Sequence, residues 1–313
     1  MTNDGAAMAR TASPPEPRSG SDNLYATLAA GFPADRAACA IEALHPGSAP
    51  LYYSWQDIDD ATGKLANLLA SLRLSPGARI AVQVDKSPEA LLLYLACLRT
   101  GCVYLPLNTA YQAGEIDYFL GNAEPEVLVS TPASESWIGA IARDRGVAHH
   151  FTLGDNRTGT LLDAAAPLSP SFRTVARAPE DLAAILYTSG TTGRSKGAML
   201  SHGNLASNAR TLDVYWRWRR SDVLLHALPI FHVHGLFVAA HGALLAGAKT
   251  IWMNRFDADQ VISALPRATV FMGVPTMYVR LLDRPAFDHD CCKRMRLFVS
   301  GSAPLLADTF RQF

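Results

Sequence analysis

No stretch of this 313-residue sequence is apolar for long enough to cross a bilayer. The longest candidate, Val233 to Ala248, contains His234 and His241 and falls short of the roughly twenty residues a spanning helix needs, so it is expected to be a buried helix. An excess of charge is missing as well: Lys plus Arg total 28 and Asp plus Glu total 28, which leaves no broad basic surface for nucleic acid or for an anionic membrane. Disulfide spacing is also absent. The five cysteines, Cys39, Cys97, Cys102, Cys291 and Cys292, are odd in number and lack C-x-x-C spacing, as expected of reduced thiols in a cytoplasmic protein. Residues 1–22 lack the apolar centre of a secretory signal, and their Ala, Ser, Pro and Arg content predicts a disordered leader.

What the chain does contain is alternation. Ser54-Trp55-Gln56-Asp57 reads as a capping box, followed at helical spacing by Ile58, Ala61, Leu65, Leu68, Leu69 and Leu72. Short β-like runs at 79–84, 102–107, 127–130 and 147–153 alternate with helical patterns such as Pro88 to Arg99. Further strands are expected near 182–187, 197–200, 222–228, 249–252, 269–272 and 296–300. Such alternation implies an α/β fold with largely parallel sheets and helices on their faces. The segment Ala164 to Pro179 carries three prolines and reads as a connection between two halves, 23–170 and 171–313.

The most informative stretch is Tyr187-Thr188-Ser189-Gly190-Thr191-Thr192-Gly193-Arg194-Ser195-Lys196-Gly197. Glycines let backbone N–H groups approach phosphate oxygens, hydroxyls donate hydrogen bonds, and Arg194 and Lys196 supply positive charge. The apolar run Leu182 to Leu186 leads into it, which places the loop at the end of a strand. It is not a Walker A loop, because Ser195 precedes Lys196 and Gly197 follows it, and no G-x-G-x-x-G fingerprint exists in the chain.

Two other segments carry chemistry. Phe231-His232-Val233-His234-Gly235 lies within a run that also holds His226 and His241, but no Cys or acidic residue is interleaved to complete a zinc site. Ser300-Gly301-Ser302-Ala303-Pro304 is a turn of small residues against which a flat ring could lie, and neither serine has the G-x-S-x-G spacing of a nucleophile elbow.

Together with Ala198 to Leu205, Leu228 to Gly235 and Val299 to Leu305, the loop resembles the signature segments of the adenylate-forming enzymes, the superfamily of acyl-CoA synthetases, firefly luciferase and peptide synthetase adenylation domains. The resemblance runs from about Asn23 to the last residue. It implies the large N-terminal domain of that superfamily, with two helix-flanked, mostly parallel sheets. It also implies ATP, Mg²⁺ and coenzyme A as reaction partners of a small carboxylic acid.

Carried over residue by residue, Thr188 to Lys196 would hold the phosphates, with Thr188 near Mg²⁺. Thr188, Lys196 and His232 would be catalytic, and Gly301, Ser302, Ala303 and Pro304 would form part of the adenosine site. His232 would lie beside the reacting carboxylate and His234 would line the acyl pocket. The wording Val274 to Leu281, with Arg280 and Ser302, resembles the malonyl-CoA and methylmalonyl-CoA synthetases in particular, in which an arginine at this place and a serine of the turn bind the distal carboxylate. A medium- or long-chain fatty acid is the competing substrate class. No oligomeric state is legible.

The resemblance further implies a sequence that stops before the superfamily's Tyr-Gly-x-Thr-Glu segment, its ribose-binding Asp, its hinge and its small C-terminal lid domain. Weak or absent thioester formation is therefore expected of these 313 residues, and a noncatalytic nucleotide-binding remnant is the reading from another functional class.

Overall fold

A computed structural model describes residues 22–45, 47–188 and 195–313. Its described residues form two six-stranded sheets. In chain order the strands are β1 Cys39–Leu44, β2 Leu51–Ser54, β3 Arg79–Gln83, β4 Val103–Pro106, β5 Val127–Ser130, β6 His149–Thr152, β7 Leu182–Thr188, β8 Lys196–Ser201, β9 Val223–His226, β10 Lys249–Met253, β11 Val270–Gly273 and β12 Leu297–Ser300. One sheet has the order β6-β5-β3-β4-β7-β8, the other β12-β11-β9-β10-β1-β2. Both are parallel except for an antiparallel pair at one edge, β7 with β8 and β1 with β2. The sheets are thus mixed, helix-flanked and close to the expected α/β arrangement.

The sheets do not divide at residue 170. Strand β1, with β2 on its outer edge, leaves the N-terminal half to pair with β10, while β7, with β8 on its outer edge, leaves the C-terminal half to pair with β4. Such exchange leaves no local trace in sequence, because a strand's neighbour is chosen by tertiary packing.

Burial on two faces explains the apolar runs. Along β3, Ile80 and Val82 enter the large core between the sheets while Ala81 faces the outer cluster; along β7, Ala184 and Leu186 face inward and Ile185 outward. This is the two-residue period of a pleated strand covered by helices on both sides. The large core includes Trp252 of β10 and Ile41 of β1 together with Tyr104 of β4, so both sheets share it.

Helices fill the space between. Ser54 and Asp57 form the expected capping box of helix Trp55–Ser71. Within that helix a Cβ on Gly63 would stand 1.7 Å from the Pro170 carbonyl oxygen, so only glycine lets the proline-bearing segment lie against it. Helix Pro88–Thr100 is buried from Pro88 through Arg99 and ends at Gly101, whose φ of 73° suits glycine. The stretch expected to be a single buried helix is instead a π-helical turn, His234–Ala240, continued by the α-helix His241–Ala246. Gly235 presses so closely on Pro229 that a Cβ would stand 2.0 Å from its carbonyl oxygen, and π turns of this kind commonly mark functional sites. No described helix is long and apolar enough to cross a membrane.

Three histidines are sealed inside. His202 Nδ1 accepts from the Leu24 N–H at 3.0 Å, His241 Nε2 meets the Tyr94 hydroxyl at 2.8 Å, and His226 stacks on Trp252 with ring centroids 4.7 Å apart. Burial lowers all three pKa values, to about 4 for His202 and about 3 for His241, and well below the ordinary 6.5 for His226, where Lys86 adds to the effect. Unfolded histidines titrate near pH 6.5, so on acidification the unfolded chain takes up protons that the native chain refuses. Stability should therefore be full above pH 6.5 and fall by about 2 kcal/mol per histidine between pH 7 and pH 5. Urea titrations at the two pH values test this, with His241→Gln expected to flatten the slope by one histidine's share. A stability independent of pH over this interval would contradict the assignment of neutral buried imidazoles.

Candidate active site

The segment expected to bind phosphate falls between the paired strands β7 and β8. Strands β7 and β8 run antiparallel with Thr188 opposite Lys196, and both side chains are exposed at the mouth. Ser189, Gly190, Thr191, Thr192, Gly193 and Arg194 lie outside the described residues. The hairpin's base is fastened to helix Ala113–Ala123. The Tyr118 hydroxyl donates to the Ser195 carbonyl at 2.8 Å, the Tyr187 hydroxyl donates to Asn122 Oδ1 at 2.5 Å, and the Phe119 and Tyr187 rings pack with centroids 4.3 Å apart. Burial pushes the Tyr187 pKa up to about 12, so the phenol stays a donor.

The second cluster gathers at the C-terminal ends of the parallel strands β9, β11 and β12, where open α/β sheets bind ligands. Beyond β9, His234 is buried, and its Nδ1 lies 3.2 Å from the Ser302 hydroxyl beyond β12. Gly301 donates its N–H to the Gly273 carbonyl at the end of β11 at 3.1 Å. A Cβ on Gly301 would stand 3.0 Å from His234 Cε1, so the glycine is what lets the imidazole lie flat against the turn. Ser302 holds a φ of 68°, unusual for a residue with a side chain, and Ser302, Ala303 and Pro304 are exposed. The buried Ser300 hydroxyl has no partner among the described residues.

The remaining expected residues fall differently. His232 is exposed, its ring 4.5 Å from that of Phe231, and desolvation by the surrounding chain lowers its pKa and that of His234 below 6.5. Arg280 is exposed in the last turn of helix Pro275–Leu282, with its guanidinium carbon 4.8 Å from the centroid of the Phe256 ring. It forms no ion pair among the described residues, and its guanidinium makes the cation–π contact with Phe256. His234 and Ser302 are thus brought together, while the Arg280 guanidinium lies over the Phe256 ring.

A family model described as AMP-binding enzyme matches residues 27–313. The chain belongs to the AMP-binding enzyme family. An ATP-bound MatB from Rhodopseudomonas palustris superposes with a TM-score of 0.89 at 51% sequence identity, covering 94% of this chain and 57% of that one. A feruloyl-CoA synthase from an Amycolatopsis species is 32% identical over 84% of this chain and 51% of its own length. A malonate–CoA ligase from Arabidopsis thaliana is 30% identical over 76% of this chain and 42% of its own length. The chain spans about half the length of the curated relatives it matches.

One group in this AMP-binding enzyme escapes a motif-based reading. Lys86, just past β3 of one sheet, crosses to the other and donates to the His226 and Met253 carbonyls, at 2.9 and 2.5 Å, where β9 and β10 end. Its amine stands 4.5 Å from the centroid of the Trp252 ring, and burial holds its pKa well below 10.5. His226 in turn places Nε2 2.9 Å from the Gly235 carbonyl. A carbonyl can only accept, so Nε2 carries the proton and the tautomer is fixed. The chain of contacts runs from Lys86 through His226 to the π turn that carries His234. A lone lysine between an apolar strand and the proline-capped helix at Pro88 was the only sequence signal for it.

The exposed small-residue turn with its unpartnered Ser300 hydroxyl, and the exposed Thr188 and Lys196 facing each other across β7 and β8, are suited to a nucleotide. Among the described residues no group of three or more His, Cys, Asp or Glu side chains could hold a metal ion, and Thr188, the residue expected near Mg²⁺, is exposed opposite Lys196.

Replacing Gly301 by Ala should push the His234 ring by a few tenths of an ångström. The weakened Ser302 contact should cost at most about 1 kcal/mol of stability in denaturant titrations and shift the His234 imidazole resonances. Unchanged resonances would show that the ring does not depend on the glycine.

Proposed function

We propose that these residues are the ATP- and carboxylate-binding part of an acid–thiol ligase acting on malonate or methylmalonate. The reading is carried by the superposition on the ATP-bound MatB across nearly the whole chain, and is supported by the malonate–CoA ligase among its relatives. A carboxylate oxygen attacks the α-phosphorus of ATP, an acyl-adenylate forms and pyrophosphate leaves. The thiol of coenzyme A then attacks the acyl carbonyl and AMP leaves.

The chain's own groups act by position and charge. Lys196, Thr188 and the loop hydroxyls and N–H groups offset phosphate charge as pyrophosphate departs. Mg²⁺ would supply further charge neutralisation there. Gly301 to Pro304 give the adenosine a flat wall. His232, neutral at pH 7 because desolvation lowers its pKa, can orient the reacting carboxylate without pairing with it as a cation. His234 and Ser302 close the acyl end, and Arg280, with no carboxylate partner among the described residues, is available for the distal carboxylate as a two-pronged donor. The feruloyl-CoA synthase relative supports a second reading, an uncharged aromatic acid resting near the Phe256 ring.

Calorimetry with ATP, malonate and ferulate separates the two. Arg280→Met should weaken malonate binding roughly 30-fold, the scale of a charged hydrogen bond, while ATP affinity stays within about twofold. ATP–pyrophosphate exchange should depend on malonate or methylmalonate. Ferulate-dependent exchange that survives Arg280→Met would favour the aromatic acid, and malonate affinity unmoved by the substitution would remove Arg280 from the site.

A further inference from the structure

Cys291 and Cys292 lie outside the ligase machinery, on the segment between helix Pro275–Leu282 and β12. Their sulfurs stand 3.7 Å apart. The turn that carries them is fastened by Asp288, whose Oδ1 accepts from the Cys291 N–H at 2.9 Å and whose carbonyl accepts from the Cys291 thiol at 3.1 Å. With that proton committed, the sulfur–sulfur contact must have Cys292 as donor. Cys291 is nearly buried and Cys292 half-exposed, so the pair has one side open to solution. Burial, and then the neighbouring Cys291 sulfur, push the Cys292 pKa up to about 12, which keeps the thiol protonated at neutral pH.

Three fates of such a pair can be weighed. A disulfide is disfavoured by backbone geometry: adjacent Cα atoms across a trans peptide are about 3.8 Å apart, whereas disulfides ordinarily span about 4.4–6.8 Å. A tetrahedral metal ion asks for more donors, and the described residues supply no group of three or more. What remains is a single thiophilic atom that needs two sulfurs and brings its third substituent with it.

We propose that Cys291 and Cys292 form a vicinal dithiol site for a monosubstituted trivalent arsenical. The reaction is a condensation without change of oxidation state. Each thiol proton is transferred to the arsenic-bound oxygen, which leaves as water, and two As–S bonds replace the As–O bonds while the As–C bond is kept. The other cysteines do not offer this arrangement: Cys97 and Cys102 are buried in the core, and Cys39 is a single half-buried thiol engaged with the Ile41 carbonyl.

Phenylarsine oxide is the probe. Intact mass spectrometry of the folded chain should show one adduct, with two of the five cysteines lost to thiol titration and peptide mapping placing it on 291–292. Release should require a dithiol such as 2,3-dimercaptopropanol and resist a monothiol. Either Cys291→Ser or Cys292→Ser should weaken capture at least tenfold, while Cys39→Ser leaves it unchanged. Zinc or cadmium added alone should not protect the pair. An adduct mapped to Cys97 and Cys102, capture that survives both serine variants, full protection by the metals, or a pair isolated already as a disulfide would each overturn the proposal. The readout on the wild-type chain requires neither catalytic activity nor a substituted protein.

Discussion

The amine of Lys86 holds together what the chain keeps far apart. It leaves the end of β3 in one sheet and ties down the carbonyls that close β9 and β10 in the other. An amine without partners in this interior would cost several kcal/mol, so the contact is stable only because both carbonyls and the Trp252 face are in place together. Everything beyond it on the β9 side inherits that placement. His226 fixes Gly235, the π turn presents His234, and His234 meets Ser302 at the end of β12.

Small residues make the same site possible from the other direction. Gly235 lies against the Pro229 carbonyl closer than a side chain would allow, and Gly301 lies so tightly on the His234 ring that a Cβ there would make the ring give by a few tenths of an ångström. The hairpin mouth is held differently, by a phenol on helix Ala113–Ala123 reaching the Ser195 carbonyl. One half of the site is therefore set by close backbone approach, the other by aromatic packing beside the exposed Thr188 and Lys196. A binding surface of this kind can stay open to ligand while its supports remain buried.

Much of this was legible in the amino-acid sequence where the signal is local. Strands such as β7 and β9 betray themselves by apolar runs, and helix Trp55–Ser71 by its capping box. The histidine pair and the small-residue turn stood out by composition alone. Pairing between distant strands did not, because nothing in Cys39–Leu44 says that its neighbour is Lys249–Met253. Nor did the π turn, which depends on close contact between Gly235 and Pro229. Lys86 gave only a faint signal, because one lysine between Asp85 and Ser87 has no spacing to read. Arg280 shows the opposite limit: the resemblance singled it out, yet the direction of its guanidinium, over Phe256, was not legible.

Amide hydrogen exchange on Lys86→Met against the unaltered chain tests the central role of that amine most directly. Protection should fall at the ends of β9 and β10 and across residues 227–240, while β6, at the edge of the other sheet, keeps its own. Equal protection in the two proteins, or an equal loss throughout both sheets, would contradict the assignment of Lys86 as the strut on which the histidine-bearing turn depends.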